Sequence, residues 1–450
     1  MSIAGRFALP LMAALLTLAG AEPARADRID DIVGAQMKKQ HIPGVSIAVL
    51  RDGKPIKTKG YGLANLELGT PATPETVYQI GSVSKQFIAA GVVLLAGDGK
   101  LTLDEPVTKY LDDAPAAWRA VTLKHLLTHT SGLVRDTPDL QMKSQTVLEA
   151  IRGAYATPLA FPPGEKLQYS NIGYFVLAEV ITRAAGTPWP QFMQQRVFAP
   201  LGMTATRTTT NDDLVPRRAS GYLWSTDRYV NAQNPAGVRP SGAFLSTVQD
   251  LARWDQALRD DRLFTAKQRE LLWTPVTVND GSTQPYGLGW EISRVGEHRL
   301  VRHGGSMMGF RSDLSRYLDD GLTVVVLTNS GVSLPEKISG SISASLIEGL
   351  QPRRVAARLP ASELDGFTGT YRMAGGELSV EREGDRLSVS AARGPIRMQM
   401  AVLTRESTTT FFDEDNTRST FTLEPDAQGR MQLVMKNEAG RVLVQATRER

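Results

Sequence analysis

A serine and a lysine three residues apart are placed where an extended segment gives way to a helix. Ser82 and Lys85 lie in the run 78–87, and an apolar helical pattern continues over residues 83–95. A helix start gathers free N–H groups and the positive end of the helix dipole, so it stabilises an oxyanion. Side chains at i and i+3 share one helical face, and burial lowers the pKa of a lysine. The spacing therefore predicts a serine nucleophile activated by a neutral amine.

Chance also produces this spacing, because serine and lysine are common residues. Ser-x-x-Lys occurs once in the 450 residues, at the place where the predicted buried helix begins. The motif alone is a hypothesis. Its interpretation depends on two further segments of the chain.

The first of these segments is Tyr169-Ser170-Asn171, directly before a strong helical pattern. The Tyr169 phenol could relay a proton between the serine and a leaving group, and the Asn171 amide could bind a substrate carbonyl. In the alternative interpretation, Asn171 is an ordinary helix N-cap and Tyr169 is a packing residue.

The second segment is His303-Gly304-Gly305-Ser306, which follows the strand pattern at 300–301. Glycines at the end of a strand allow the backbone to approach a ligand closely. The N–H of Ser306 could then join the N–H of Ser82 in an oxyanion hole. The alternative is a bulged edge strand with an incidental histidine.

Together, Ser-x-x-Lys, Tyr-x-Asn and His-x-Gly in this order resemble the penicillin-recognising serine hydrolases. That superfamily contains class C β-lactamases, D-alanyl-D-alanine carboxypeptidases, D-aminopeptidases and β-lactamase-like carboxylesterases. The resemblance includes residues 126–133 and covers roughly residues 28–350. The tail from Pro360 looks like the lipocalin-like barrel that some members carry.

The resemblance implies an acyl-enzyme mechanism. Ser82 would be the nucleophile, Lys85 the base for acylation, and Tyr169 the proton relay that also helps to activate water for deacylation. Asn171 would orient the amide of the acyl group, and His303 would line the opposite wall of the site.

This chain departs from the β-lactamases of the superfamily at His303, where they carry lysine. A histidine is mostly neutral at neutral pH, so it supplies no permanent charge for a substrate carboxylate. We therefore expect inefficient β-lactam hydrolysis. We also expect kcat/KM to rise through the ordinary histidine range, at roughly pH 6 to 7.

Composition excludes several other classes of function. The net charge is only +4, with no dense basic block, which predicts no nucleic-acid partner. Cysteine is absent, so a thiolate nucleophile and a zinc–thiolate site are excluded. His125 and His129 lie four residues apart, but no acidic partner is near, which favours packing or loop hydrogen bonding over metal binding. We expect no cofactor and no metal.

The first 26 residues have the pattern of a signal peptide. Arg6 is followed by a short apolar region at 7–18 and by an A-x-A cleavage site at 24–26, with a second possible site at 19–21. The apolar region is short for a membrane span, and no later run is longer. The sequence predicts an exported protein, periplasmic or secreted, without a membrane span.

Periodicity divides the rest of the chain into two parts. Residues 27–355 show strand patterns at both ends and helices between them, which predicts an α/β fold, strictly α+β. One mixed sheet would be flanked by helices and a helical lobe, as in the β-lactamase/transpeptidase fold. Residues 360–450 alternate without helices and contain no catalytic motif, which predicts a small antiparallel barrel of roughly eight strands.

The favoured function is that of an exported serine hydrolase acting on amides or esters, with D-amino-acid peptides as one candidate substrate. The first alternative is a carboxylesterase for small acyl esters. The second is a penicillin-binding or sensor protein that is acylated and turns over slowly. An α/β-hydrolase with a Ser-His-Asp triad is disfavoured, because no G-x-S-x-G occurs in the chain.

Overall fold

The computed structural model describes residues 21–137, 145–208, 213–232, 239–242, 244–358, 360–373, 375–393, 396–438 and 440–449. Within these ranges a sheet flanked by helices is followed by a closed barrel of eight antiparallel strands. The predicted fold class is confirmed. Residues 1–20 of the predicted signal peptide lie outside the described residues, and its last residues form the start of the first helix.

The α-helices of the described residues lie before the barrel. They are α1 Ala21–Lys39, α2 Ser84–Gly97, α3 Leu123–Leu127, α4 Val147–Gly153, α5 Asn171–Ala185, α6 Trp189–Met193, α7 Val248–Ala257, α8 Ala266–Leu272 and α9 Pro335–Leu346. A π-helical turn, Gln194–Phe198, follows α6, and a 3₁₀ helix, Ala361–Phe367, leads into the barrel. None of the helices in the described ranges combines the length and apolarity that crossing a bilayer requires.

The strands before the barrel are β1 Gly44–Arg51, β2 Lys54–Asn65, β3 Thr70–Pro71, β4 Tyr78–Gln79, β5 Tyr222–Ser225, β6 Arg228–Asn231, β7 Leu245–Ser246, β8 Val276–Thr277, β9 Thr283–Gln284, β10 Glu291–Val295, β11 His298–Met307, β12 Phe310–Tyr317 and β13 Leu322–Thr328. The barrel strands are β14 Gly369–Met373, β15 Gly376–Glu383, β16 Arg386–Arg393, β17 Ile396–Arg405, β18 Thr410–Asp413, β19 Asn416–Pro425, β20 Met431–Lys436 and β21 Val442–Arg448.

The central sheet has the strand order β10-β11-β12-β13-β1-β2-β3. Strand β1 pairs with β13, so the sheet is assembled from the two ends of this region, as predicted. Its pairings are all antiparallel, whereas the sequence predicted a mixed sheet. Periodicity shows where a strand lies but not in which direction it runs against its neighbour.

Each face of the sheet packs against different helices, because strand side chains alternate between faces. Val301 and Leu314 belong to the core that contains α2, while Leu300 and Val324 pack with α1 and α9. Helix α2 is buried from Ser84 to Leu95, as the sequence predicted.

Two strands near the site differ from what the sequence indicates. The sequence has a strand pattern at residues 287–292, but the strand there is β10, Glu291–Val295, and no sequence pattern predicted β12. Strand β12 carries Asp313 and Arg316 into the interior, where Arg302 lies 2.6 Å from Asp313 and Asp255 lies 2.6 Å from Arg316. A polarity pattern treats charged residues as exposed. Because β12 carries charged residues that are buried in ion pairs, the sequence did not reveal it as a core strand.

The barrel closes through pairing of β16 with β17, and one residue pair, Ile396 with Ser225, joins β17 to β5. A separate hydrophobic core lines its interior. Ion pairs connect the barrel to α9 and α1. Asp413 lies 2.5 Å from Lys337 of α9, and Asp415 lies 2.7 Å from Lys39 of α1.

Candidate active site

Ser82 and Lys85 lie side by side at the start of α2. Strand β4 ends at Gln79, a 3₁₀ turn spans Gly81–Val83, and α2 begins at Ser84. Gly81 adopts a positive φ of 53°, which glycine tolerates without a steric penalty. The Lys85 Nζ atom lies 3.2 Å from the Ser82 Oγ atom. The sequence-predicted pair is therefore brought into contact.

Lys85 is fully buried, and its two other polar contacts are with carbonyl oxygens. Its Nζ donates to the Ser241 carbonyl at 2.7 Å and to the Asn171 Oδ1 atom at 2.8 Å. Burial holds the pKa of Lys85 well below its ordinary value. A neutral amine has two hydrogens and one lone pair. The two carbonyls engage both hydrogens, which leaves the lone pair for the Ser82 hydroxyl.

Tyr169 lies on the loop before α5, close to both of these groups. The Lys85 Nζ atom is 4.8 Å from the centre of the Tyr169 ring. Burial raises the pKa of the Tyr169 phenol, and a hydrogen bond with Ser82 opposes that rise. The phenol therefore keeps its proton at neutral pH.

Asn171 is the first residue of α5 and not its cap. Ser170 is the N-cap, since its hydroxyl accepts a hydrogen bond from the Gly173 N–H. The Asn171 amide is thereby free to bridge Lys85 and Asp136. Its oxygen accepts from Lys85, and its nitrogen lies 3.0 and 3.2 Å from the two carboxylate oxygens of Asp136. These contacts fix the amide orientation beside Lys85; contact with a substrate stays a prediction.

Gly305 and Ser306 pass directly beside the turn that carries Ser82. A Cβ atom placed on Gly81 would lie 2.4 Å from the Ser306 nitrogen, and one on Gly305 would lie 2.0 Å from the Ile80 oxygen. Only glycine permits backbones to approach so closely. The predicted pairing of Ser306 and Ser82 N–H groups in an oxyanion hole is consistent with this approach.

His303 belongs to a buried chain of hydrogen bonds with His129 and Tyr286. The Ser170 N–H donates to His129 Nδ1 at 3.1 Å, so the proton of neutral His129 is on Nε2, 3.2 Å from the Tyr286 hydroxyl. His303 Nδ1 lies 2.6 Å from the Gly304 oxygen and must donate to it. Its Nε2 therefore accepts from Tyr286 at 2.9 Å.

These hydrogen bonds fix the tautomers of His129 and His303 and engage all four of their ring nitrogens. His129 also accepts a backbone hydrogen bond from Gln168, so it holds the loop that presents Tyr169. His125 accepts from the Thr122 N–H at the start of α3. Both histidines therefore make hydrogen bonds of the kind that the sequence favoured. In the described part of the chain, no three histidine, cysteine or acidic residues are grouped to hold a metal.

The expectation that His303 titrates at pH 6 to 7 is wrong. Burial, and then the nearby Lys85, lower the pKa of His303 to about 3. The imidazole therefore stays neutral throughout the working range of an ordinary enzyme, and an acidic limb in the rate profile must come from another group.

The same pKa predicts an acid-sensitive fold. Between pH 7 and pH 5 the unfolded chain protonates His303 but the folded chain does not, so the free energy of unfolding should fall by about 2 kcal/mol. Urea unfolding of the parent and of His303→Gln at both pH values measures this. The free energy of unfolding of the variant should fall by about 2 kcal/mol less than that of the parent. An equal fall in both proteins would assign the acid sensitivity to groups other than His303.

Four residues of the site were not predicted from the sequence: Arg135, Asp136, Ser241 and Tyr286. Arg135 lies over the Tyr169 ring at 5.2 Å, and Asp136 binds Asn171. They lie in loops, where no periodicity exists to detect them. The only available signal was the position of Arg135 and Asp136 after the 126–133 motif.

Arg135 and Asp136 predict opposite shifts in the pH dependence of the rate. The charge of Asp136 raises the pKa of Lys85, and that of Arg135 lowers it. If neutral Lys85 is the active form, Asp136→Asn should move the acidic limb of kcat/KM to lower pH, and Arg135→Gln should move it to higher pH. Shifts in the same direction in both variants would show that the limb does not belong to Lys85.

Comparison with known proteins identifies the class that this fold and site define. Residues 29–346 match the beta-lactamase family, and residues 353–440 match a domain of unknown function, DUF3471. The chain therefore belongs to the beta-lactamase family, whose members include serine hydrolases, and it carries a C-terminal barrel domain.

The chain is also similar to individual members of known sequence or structure. The chain is 29% identical to penicillin-binding protein 4* of Bacillus subtilis over 76% of this chain and 82% of that protein. An octameric penicillin-binding protein homologue from Pyrococcus abyssi superposes with a TM-score of 0.68 and 25% identity, over 94% and 99% of the two chains. A D-amino acid amidase from Ochrobactrum anthropi superposes with a TM-score of 0.62 and 26% identity, over 72% of this chain and 97% of that chain.

Proposed function

We propose that the protein is an exported serine hydrolase that forms an acyl-enzyme on Ser82 with amide or ester substrates. The observation that carries the proposal is the environment of Lys85. Two carbonyl oxygens engage its hydrogens, burial lowers its pKa, and Ser82 Oγ lies 3.2 Å away. A buried amine placed in this way is a general base for the serine hydroxyl.

In the proposed reaction the Ser82 oxygen attacks the substrate carbonyl carbon while its proton passes to Lys85. The N–H groups of Ser82 and Ser306 stabilise the oxyanion that forms. The Tyr169 phenol donates a proton to the leaving nitrogen or oxygen and recovers one from Lys85. Water then attacks the carbonyl carbon of the ester on Ser82 while Lys85 takes one of its protons, with the Tyr169 phenol as the relay. The bond to the Ser82 oxygen breaks, that oxygen receives the proton back from Lys85, and the carboxylic acid product leaves.

Amides of D-amino acids are the substrate class that we propose first, because of the similarity to a D-amino acid amidase. A carboxylesterase is the second candidate. It is favoured by neutral His303, which offers no charge to a substrate carboxylate. A penicillin-binding protein with slow turnover is the third, in view of the relative in Bacillus subtilis.

Covalent labelling combined with a substrate panel tests these proposals. The protein is incubated with a fluorescent penicillin and a fluorophosphonate, and then with D-amino acid amides, p-nitrophenyl esters and a chromogenic cephalosporin. We expect one label per chain, on the peptide that contains Ser82, and turnover of amides or esters. A stable penicillin adduct without turnover would favour the sensor, and a label on another peptide would overturn the assignment.

Export is a separate part of the proposal. It rests on the signal-peptide pattern of residues 1–26. Cleavage after Ala26 would leave Asp27 at the new N-terminus and keep Ile29 and Val33, which are buried against the sheet. Mass spectrometry of the N-terminal peptide from a periplasmic extract tests this, and an intact N-terminus there would contradict it.

A further inference from the structure

A cavity of about 570 Å³ lies between the barrel and the sheet face that carries α9. Most of the barrel side chains that line it are apolar, and four of them are methionines, Met373, Met398, Met400 and Met435. Methionine side chains adapt their shape to different apolar partners. The volume is within the range of pockets that hold small organic molecules.

The opposite end of the cavity is polar, and its cations are already paired. Lys337 lies 2.5 Å from Asp413 and 3.7 Å from Asp415. Arg302 lies 2.6 Å from Asp313 and 3.0 Å from Glu291. Neither cation is therefore available to neutralise an anionic ligand without losing its own partner.

Glu336 is the acidic group left over at this end. Its side chain is accessible and lines the cavity. Among the described residues it forms no ion pair within 4 Å, and its carboxylate accepts a hydrogen bond from its own backbone N–H. The surrounding protein raises the pKa of Glu336, and the charges of Arg302 and Arg311 oppose the rise. A cation arriving through the cavity would supply an ion-pair partner that the described side chains do not supply.

We propose that this cavity binds an elongated apolar molecule with a basic amine at one end. The apolar body lies among the methionines of the barrel, and the ammonium contacts Glu336. A carboxylate in the same position would face Glu336 and the paired acids, so fatty acids are disfavoured. This site is distinct from that of Ser82, because Arg302 and His303 are neighbours on β11 and their side chains lie on opposite faces of the sheet.

Displacement of a fluorescent probe from the intact protein tests the site. The probe is neutral N-phenyl-1-naphthylamine, and the competitors are dodecylamine and dodecanoate below their micellar concentrations. We expect dodecylamine to displace the probe at about tenfold lower concentration than dodecanoate. Equal competition, or stronger competition by dodecanoate, would overturn the assignment of a basic ligand.

Substitutions locate the ligand within the cavity. Met398→Trp fills the lumen and should reduce probe binding at least about tenfold. Leu443→Trp, a matched change at an exposed position on β21, should leave it unchanged. Glu336→Gln should abolish the preference for the amine over the acid. If Met398→Trp unfolds, Ala391→Phe makes the same test on β16; unchanged probe binding in a folded variant would overturn the site.

Ester or amide hydrolysis is measured on all four variants as a check on the first domain. Because none of these residues contacts Ser82 or Lys85, we expect labelling of Ser82 to match that of the parent. Failure of the cavity proposal therefore leaves the hydrolase proposal intact, and the reverse also holds.

Discussion

Replacing Ser82 by alanine is expected to lower kcat by at least about a thousandfold, because the covalent intermediate can no longer form. The oxyanion hole and the binding groups would remain, so a small residual rate is expected. Ser82 caps no helix, and its hydroxyl contacts only neighbours in the site, so the free energy of unfolding should change by about 1 kcal/mol or less. Steady-state kinetics and urea unfolding measure the two effects.

Ser84→Ala is the matched control for this variant. Ser84 lies two residues away in the same segment and is buried, but its hydroxyl accepts a hydrogen bond from the Phe244 N–H at 3.3 Å and does not contact Lys85. Its loss should cost about 1–3 kcal/mol of stability and leave labelling of Ser82 intact. A large loss of kcat in Ser84→Ala, with normal kcat in Ser82→Ala, would move the nucleophile to Ser84.

The groups of the site that the sequence predicted share a local signature. Ser82 and Lys85 are three residues apart on one segment, and Gly305 lies at a close backbone approach that demands glycine. Tyr169 is carried by the loop before a helix with a strong apolar pattern. In each case the chain near the residue contains enough information to place it.

The groups that were missed depend on contacts distant in sequence. Lys85 donates to Ser241, which lies 156 residues away, and His129 meets Tyr286 across 157 residues. No periodicity connects such pairs, because it reports only the surroundings of one element. The same limit applies to the pKa of His303, since the expected value assumed a solvated imidazole and the structure buries it.

The cap of α5 separates the two interpretations that the sequence left open for Asn171. Asn is a favoured N-cap, and the sequence offered that role for Asn171. The adjacent Ser170 takes the role, which rotates Asn171 into the first turn and toward Lys85 and Asp136. A shift of one residue therefore separates a structural amide from one that orients the proposed base.

Replacing Lys85 tests whether the lysine acts as a base or as a positive charge. Lys85→Met removes both properties, while Lys85→Arg keeps the charge but cannot become neutral at any ordinary pH. If Lys85 is the general base, both variants should acylate about 10²- to 10⁴-fold more slowly than the parent. If its charge alone matters, Lys85→Arg should recover most of the rate. Stopped-flow labelling with a fluorescent penicillin or a p-nitrophenyl ester distinguishes these outcomes. Thermal unfolding must accompany it, since either change leaves the Ser241 carbonyl without its present donor, at a cost of about 1–3 kcal/mol.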